Sequence, residues 1–143
     1  QKWLENIYEK IQVKIAAESE RVGEAIPYIA IKGKYEEDYS QKEIEWWTNG
    51  FWAGILWQMY HATGNEKYKE QAKITEQKLD RSLEEFEGLY HDVGFMWHLT
   101  SGANYRLTGN EASAVRNFFA ATSLFSTQNK MPDNFSIALK SPL

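Results

Sequence analysis

The sequence contains no cysteine, and only three prolines, three histidines and four aspartates among its 143 residues. Without cysteine, neither disulfides nor a thiolate metal site can form, and the redox compartment goes unmarked. The three histidines, His61, His91 and His98, have no carboxylate at ligand spacing, which argues against a metal centre. Basic residues are not in excess: 16 Lys and Arg stand against 20 Asp and Glu, for a net charge of −4. They are also scattered, so the concentrated basic face of a nucleic-acid binder is missing. No apolar run approaches the ~20 residues that span a bilayer, and no signal peptide is visible. A first residue of Gln1 leaves room for a removed export signal, so periplasm and cytoplasm both stay open as compartments.

What is present is apolar and aromatic. A hydrophobic fraction of 43% is enough for the core of one domain over residues 1–143. Aromatic residues make up 15%, with six tryptophans, and Trp46, Trp47, Trp52 and Trp57 fall within twelve residues. Indole N–H groups want partners when buried, so this density suggests a thick helical core or a ring-binding surface.

Along the chain, residues 2–22 read as an amphipathic helix, with Trp3, Ile7, Ile11 and Ile15 recurring every four residues and Gly23 as its stop. Residues 24–46 form a long connection broken by Pro27 and Gly33, and unstructured loops of that length are often functional. A second helix spans about Asn49–Thr63, with Thr48 or Asn49 as N-cap; it is apolar on several faces and therefore mostly buried. Gly64 ends it and Asn65 caps a third helix, about Glu66–Phe86, which is polar with one stripe of Tyr68, Ala72, Thr75, Leu79, Leu83 and Phe86. The Glu84-Glu85-Phe86-Glu87 run reads as its solvated end. A fourth helix is expected over about Val93–Leu107, and a fifth over about Glu111–Phe125 with Val115, Phe118, Phe119, Thr122 and Phe125 on one side. From Ser126 the pattern fails, and 127–143 reads as an irregular tail.

No strand pattern competes, so the class is all-α. An internal repeat refines that. Gly50-Phe51 matches Gly94-Phe95 at an offset of 44 residues, and Thr63-Gly64-Asn65-Glu66 matches Thr108-Gly109-Asn110-Glu111 at 45, so one residue is inserted within the helix between. Each unit is an apolar inner helix, a Thr-Gly-Asn turn and an amphipathic outer helix. Such periods mean stacked hairpins, as an open HEAT-like solenoid or a closed α/α toroid, and inner helices apolar on several faces favour the toroid.

The repeat also aligns candidate site residues. Counting back from the glycines, Thr48 corresponds to Asp92, Trp47 to His91 and Trp46 to Tyr90. In a toroid, equivalent ends of successive inner helices share one rim, so Trp47, Phe51, His91 and Asp92 would meet at a funnel mouth. Aromatic faces pack on the apolar side of a pyranose, while a carboxylate and an imidazole bind hydroxyls or move protons. Asp92 also stands at a helix start, where its carboxylate can cap unpaired N–H groups. Hydrolysis of a glycosidic bond ordinarily needs two carboxyl groups, and only Asp92 qualifies on this rim; Asp38 lies in the long connection and Asp133 in the tail. No glycine-rich phosphate loop and no Gly-x-Ser-x-Gly elbow is present.

These motifs carry a resemblance. Trp46-Trp47-Thr48-Asn49-Gly50-Phe51-Trp52-Ala53-Gly54, then His91-Asp92-Val93-Gly94-Phe95 and both Thr-Gly-Asn-Glu turns, resemble the unsaturated glucuronyl hydrolases of glycoside hydrolase family 88. The likeness runs over roughly residues 26–125, and the unsaturated rhamnogalacturonyl hydrolases are the nearest confusable family. It implies the N-terminal portion of an (α/α)6 toroid built from helical hairpins, with about five of the family's twelve helices. It implies removal of a terminal Δ4,5-unsaturated uronic acid from lyase-generated oligosaccharides, by hydration of the vinyl ether and without metal or organic cofactor. Carried over by residue, Trp47 and Phe51 are substrate-stacking rings, and His91 and Asp92 an essential pair against the unsaturated ring, with Asp92 catalytic. The family's second aspartate lies on a later inner helix and has no counterpart here. The implied partners are the unsaturated oligosaccharide and either the rest of the toroid or a second copy to cover apolar faces, with no nucleic acid and no membrane. The alternative function is a non-catalytic helical-repeat module that binds glycan or a protein.

Overall fold

The computed structural model describes residues 2–85, 89 and 92–126. Six α-helices follow one another: α1 (Lys2–Val22), α2 (Phe51–Thr63), α3 (Glu66–Glu85), α4 (Val93–Leu99), α5 (Ser101–Thr108) and α6 (Glu111–Ser126). Among the described residues no strand forms beyond one isolated bridge between Ile31 and Lys34. None of these helices is long and apolar enough to cross a membrane.

The repeat is built in three dimensions as two hairpins. Gly64 and Gly109 sit at φ +68° and +73°, and their N–H groups donate to the carbonyls of Tyr60 and Tyr105 at 2.8 and 2.9 Å. Thr63 and Thr108 donate their hydroxyls back to Met59 and Asn104 carbonyls at 2.7 and 2.8 Å. Asn65 and Asn110 then accept N–H groups of the first turn of the next helix, from Lys67 and Ser113. Each Thr-Gly-Asn triplet thus stops one helix, reverses the chain through the left-handed region and caps the next.

Helices α2 and α4–α5 form an inner layer, with α3 and α6 packed outside them. Two cores result. Trp52, Ala53, Leu56, Trp57 and Met59 of α2 pack with Tyr68 and Ala72 of α3, Ala103 of α5 and Val22 of α1. Met96 and Trp97 of α4 pack with Leu79 and Leu83 of α3, Ala120 of α6, and Ile26 and Ile44 of the long connection. A buried polar clasp joins the hairpins: Glu76 of α3 accepts from Asn104 at 2.7 Å and from the Ser113 hydroxyl at 2.5 Å, while Arg116 pairs with Asp80 through two bonds of 2.7 Å.

Several local expectations are corrected. The fourth helix is not continuous, because it breaks at Thr100, whose backbone stands at φ −97°, ψ −87°. The Thr100 hydroxyl and N–H both turn back to the Met96 carbonyl, at 2.7 and 3.3 Å, which bends the helix. The second unit carries its extra residue in this helix, and the break absorbs it, so both turns keep the same geometry. Neither Thr48 nor Asn49 caps α2. A 3-10 turn, Trp47–Gly50, precedes the helix, and the buried Asn49 amide points backward, donating to the Glu43 and Ile44 carbonyls at 2.8 and 2.9 Å. On α6 the inward residues are Ser113 and Ala120, while Val115 and Phe118 of the expected stripe face outward. The first half of α1 likewise leaves Trp3, Leu4, Tyr8 and Ile11 exposed, and its contacts gather at Glu18, Ser19 and Val22.

The long connection is ordered by side-chain staples. Lys32 and Gly33, both at positive φ, make a two-residue turn closed by Ile31 and Lys34. Asp38 accepts the Ile26 and Ser40 N–H groups at 2.9 and 3.0 Å and the Lys78 ammonium at 3.1 Å, so it serves as a loop anchor. Burial pushes its carboxyl up, but the bonds from Ile26, Ser40 and Lys78 outweigh that and hold it below the ordinary carboxylate value. A lowered folded-state value adds stability that is present above about pH 4, the unfolded value, and fades as pH falls through the folded one. Asp38→Asn should therefore lower the urea midpoint at pH 7 and flatten its decline on acidification. Equal acid sensitivity in both proteins would refute this role.

Candidate active site

The N-terminal ends of the inner helices lie side by side because glycine lets them. A Cβ built on Gly50 would stand 2.6 Å from the Met96 carbonyl oxygen and 2.7 Å from its Cα, so α2 meets the backbone of α4 directly. Gly54, one turn on, faces Leu99 at 3.2 Å. This contact brings the residues before and within the two first turns onto one surface.

Three rings converge there. Trp47 in the 3-10 turn, Phe51 at the start of α2 and Phe95 in the first turn of α4 are 39%, 40% and 51% exposed. Their centroids are 5.6 Å apart for Trp47–Phe51, 6.1 Å for Trp47–Phe95 and 6.3 Å for Phe51–Phe95. The first two pairs meet edge to face, a favoured aromatic geometry. Phe51 and Phe95 are repeat equivalents, so the cluster is the repeat's symmetry expressed as a surface. Phe95 was not among the sequence candidates, although the Gly-Phe pairing contained its signal.

Asp92 opens α4 one turn before Phe95. Its carbonyl accepts the Phe95 N–H at 2.9 Å, and its side chain is half-buried. The expected cap is absent: the carboxylate makes no capping hydrogen bond to α4, since Asp92 itself takes near-helical angles of φ −79°, ψ −6° instead of the extended ones a capping side chain needs. Trp47, Phe51 and Asp92 therefore lie on the ends of adjoining segments, while His91 lies outside the described residues. His61 and His98 stand in the last turns of α2 and α4, at the opposite ends of those helices from this cluster. Among the described residues, no three His, Asp or Glu side chains gather as a metal site.

No family model matches the chain. The unsaturated glucuronyl hydrolase of Bacillus sp. strain GL1 is 41% identical over 68 residues, 47% of this chain and 18% of that protein. The crystal structure of an unsaturated glucuronyl hydrolase from the same strain, described as responsible for degrading glycosaminoglycan, superposes with a TM-score of 0.68 at 31% identity, covering 81% of this chain and 30% of that one. The chain is a homologue of the unsaturated glucuronyl hydrolases. Its hairpins have the fold of that enzyme's helical toroid, and the open-solenoid alternative falls away.

Two further relatives refine the picture. The unsaturated chondroitin disaccharide hydrolase of Streptococcus pneumoniae is 34% identical over 79 residues, 54% of this chain and 20% of that protein. A second glucuronyl hydrolase structure, an aspartate-to-asparagine variant with dGlcA-Glc-Rha-Glc, also gives a TM-score of 0.68, at 32% identity over 79% of this chain and 30% of that one. The chain thus spans less than a third of the length of the relatives it matches.

Proposed function

We propose that this chain supplies one side of a glycoside hydrolase site that removes a terminal Δ4,5-unsaturated uronic acid from oligosaccharides. The observation that carries the reading is the exposed Trp47–Phe51–Phe95 cluster at the joined ends of two inner helices, the second of which begins at Asp92. Rings left in water at a helix junction do not serve a core; they offer flat apolar faces to a pyranose. Homologues named for hydrolysing unsaturated glucuronyl and chondroitin disaccharides support the same chemistry.

In this reaction the vinyl ether gains a proton at C4 and the oxygen of water at C5. The resulting hemiketal opens to a ketone, C1 becomes a hemiacetal, and its collapse releases the next sugar as an alcohol. Positive charge develops at C5 as C4 is protonated. Asp92, as a carboxylate against the ring, stabilises that charge and orients the incoming water. His91 holds a ring hydroxyl, and Trp47 and Phe51 stack on the sugar. Hairpins beyond these supply the second carboxyl group and cover the exposed stripes of α1 and α6.

The full-length protein mixed with an unsaturated chondroitin or glucuronyl disaccharide should abolish the ultraviolet absorbance of the C4=C5 bond. Absorbance that persists at stoichiometric enzyme would overturn the reading.

A further inference from the structure

Asn49 stands two residues after Trp47 and two before Phe51, yet it is wholly buried while both rings are exposed. Its amide donates both hydrogens, one to the Glu43 carbonyl and one to the Ile44 carbonyl. Both neighbours are acceptors, which fixes the amide's orientation and makes an acid of the same shape a poor substitute. The Asn49 N–H donates to the Trp46 carbonyl at 2.9 Å, and the Trp46 N–H to the Glu43 carbonyl at 3.1 Å. Residues 43–49 are thereby drawn into a closed loop, and Trp47 is carried on it.

The two ends of this loop are anchored, and its middle is not. Ile44 is buried with Met96, Trp97, Leu79 and Leu83. Gly50, next after Asn49, meets the Met96 backbone directly. Trp47 between them belongs to a four-residue 3-10 turn, a form with poorer hydrogen-bond geometry than an α-helix. A buried amide is stable only with its hydrogen bonds made, and here both of the amide's bonds go to the loop that displays the indole.

Resting on the proposed hydrolase reading, we propose that Asn49 is a positioning residue for the reaction: by closing this loop it holds Trp47 where its ring and that of Phe51 receive the sugar together. The Trp47 ring stands at 86° to Phe51 and at 60° to Phe95. Stacking on a pyranose needs the indole face at one place, and the buried amide supplies that constraint from below while touching no substrate.

The test is a double-mutant cycle in the full-length protein with an unsaturated glucuronyl disaccharide as substrate. Asn49→Asp keeps the volume and leaves at most one hydrogen to donate where two are needed. At a temperature where every variant is folded, it should raise KM about three- to tenfold, the range that losing one ring contact supports. The kcat should stay within about threefold, since stacking holds substrate and transition state alike. In a Trp47→Ala background the same substitution should change KM by less than about twofold, because the ring it positions is gone. Equal fold-changes in the two backgrounds, or an unchanged KM, would overturn the assignment. Asn49→Ser, smaller and with one donor, goes through the same cycle and is read the same way where Asn49→Asp fails to fold.

Asn104→Ala separates positioning from stability. It breaks the buried bonds to Glu76 and Ser113, so it should lower Tm and leave KM within about twofold. A rise in KM equal to that of Asn49→Asp means that lost stability alone moves KM, and the role is rejected. If wild type leaves the disaccharide intact, the hydrolase reading fails and fluorine NMR decides Asn49. In protein carrying 5-fluorotryptophan, with the Trp47 line identified by its loss in Trp47→Phe, Asn49→Asp should shift or broaden that line. An unmoved line rejects the positioning of Trp47 by Asn49.

Discussion

Asp92→Asn in the full-length protein should cost at least about a hundredfold in kcat/KM towards an unsaturated disaccharide, the lower range for losing a group that stabilises charge in the transition state. The substitution keeps shape and polarity and removes only the charge. Because the carboxylate makes no capping hydrogen bond to α4, the variant should escape the drop of several degrees in Tm that follows loss of a ~1 kcal/mol cap. Activity and thermal unfolding together separate the two roles that the position suggested. Turnover at the wild-type rate would remove Asp92 from the chemistry, and a large fall in Tm with a matching loss of activity would return it to structure.

The second large effect is expected at Gly50. Gly50→Ala places a methyl group 2.6 Å from a backbone oxygen and 2.7 Å from a backbone Cα of Met96, and no rotamer change can relieve contact with main chain. The helices must separate, at a cost near the upper end of the 1–3 kcal/mol typical of overpacking, with Tm falling on the order of 10 °C. The site should suffer too. Separation carries Phe95 and Asp92 away from Trp47 and Phe51, so KM should rise even where the variant stays folded. Gly64→Ala is the control: φ is +68° there but nothing lies within 4 Å of an added Cβ, so the cost is conformational, about 1 kcal/mol, and the site is untouched. If the two alanines cost the same, the direct packing of α2 on α4 is refuted.

Much of the fold was legible because its signals are local. Tyr68, Ala72, Thr75, Leu79 and Leu83 of the expected stripe recur with helical period and are buried as that period requires, while its last member, Phe86, lies outside the described residues. The stops at Gly64 and Gly109 were legible because a left-handed residue between two helices is a chirality demand met within a few residues. The site was legible in part, and through the repeat: equivalence of Phe51 and Phe95 placed two inner-helix starts on one rim.

The rest depended on partners distant in sequence. Asn49 looked like a helix cap, and only the returning connection, with the Glu43 and Ile44 carbonyls in reach, turned its amide backward. The outward turn of Val115 and Phe118 followed from the buried Glu76–Asn104–Ser113 clasp, which fixes the rotation of α6 from residues on three helices. Thr100 carried no break signal of its own; the extra residue of the second unit had to be absorbed, and its hydroxyl could hold the bend. The sequence by itself determined an all-α chain of repeated hairpins with a carboxylate and aromatics at helix starts, since periodicity, chirality and capping act over a few residues. Only the tertiary structure decided that three rings touch and that Asp92 leaves its helix uncapped. Those outcomes rest on contacts between segments that the chain order keeps apart.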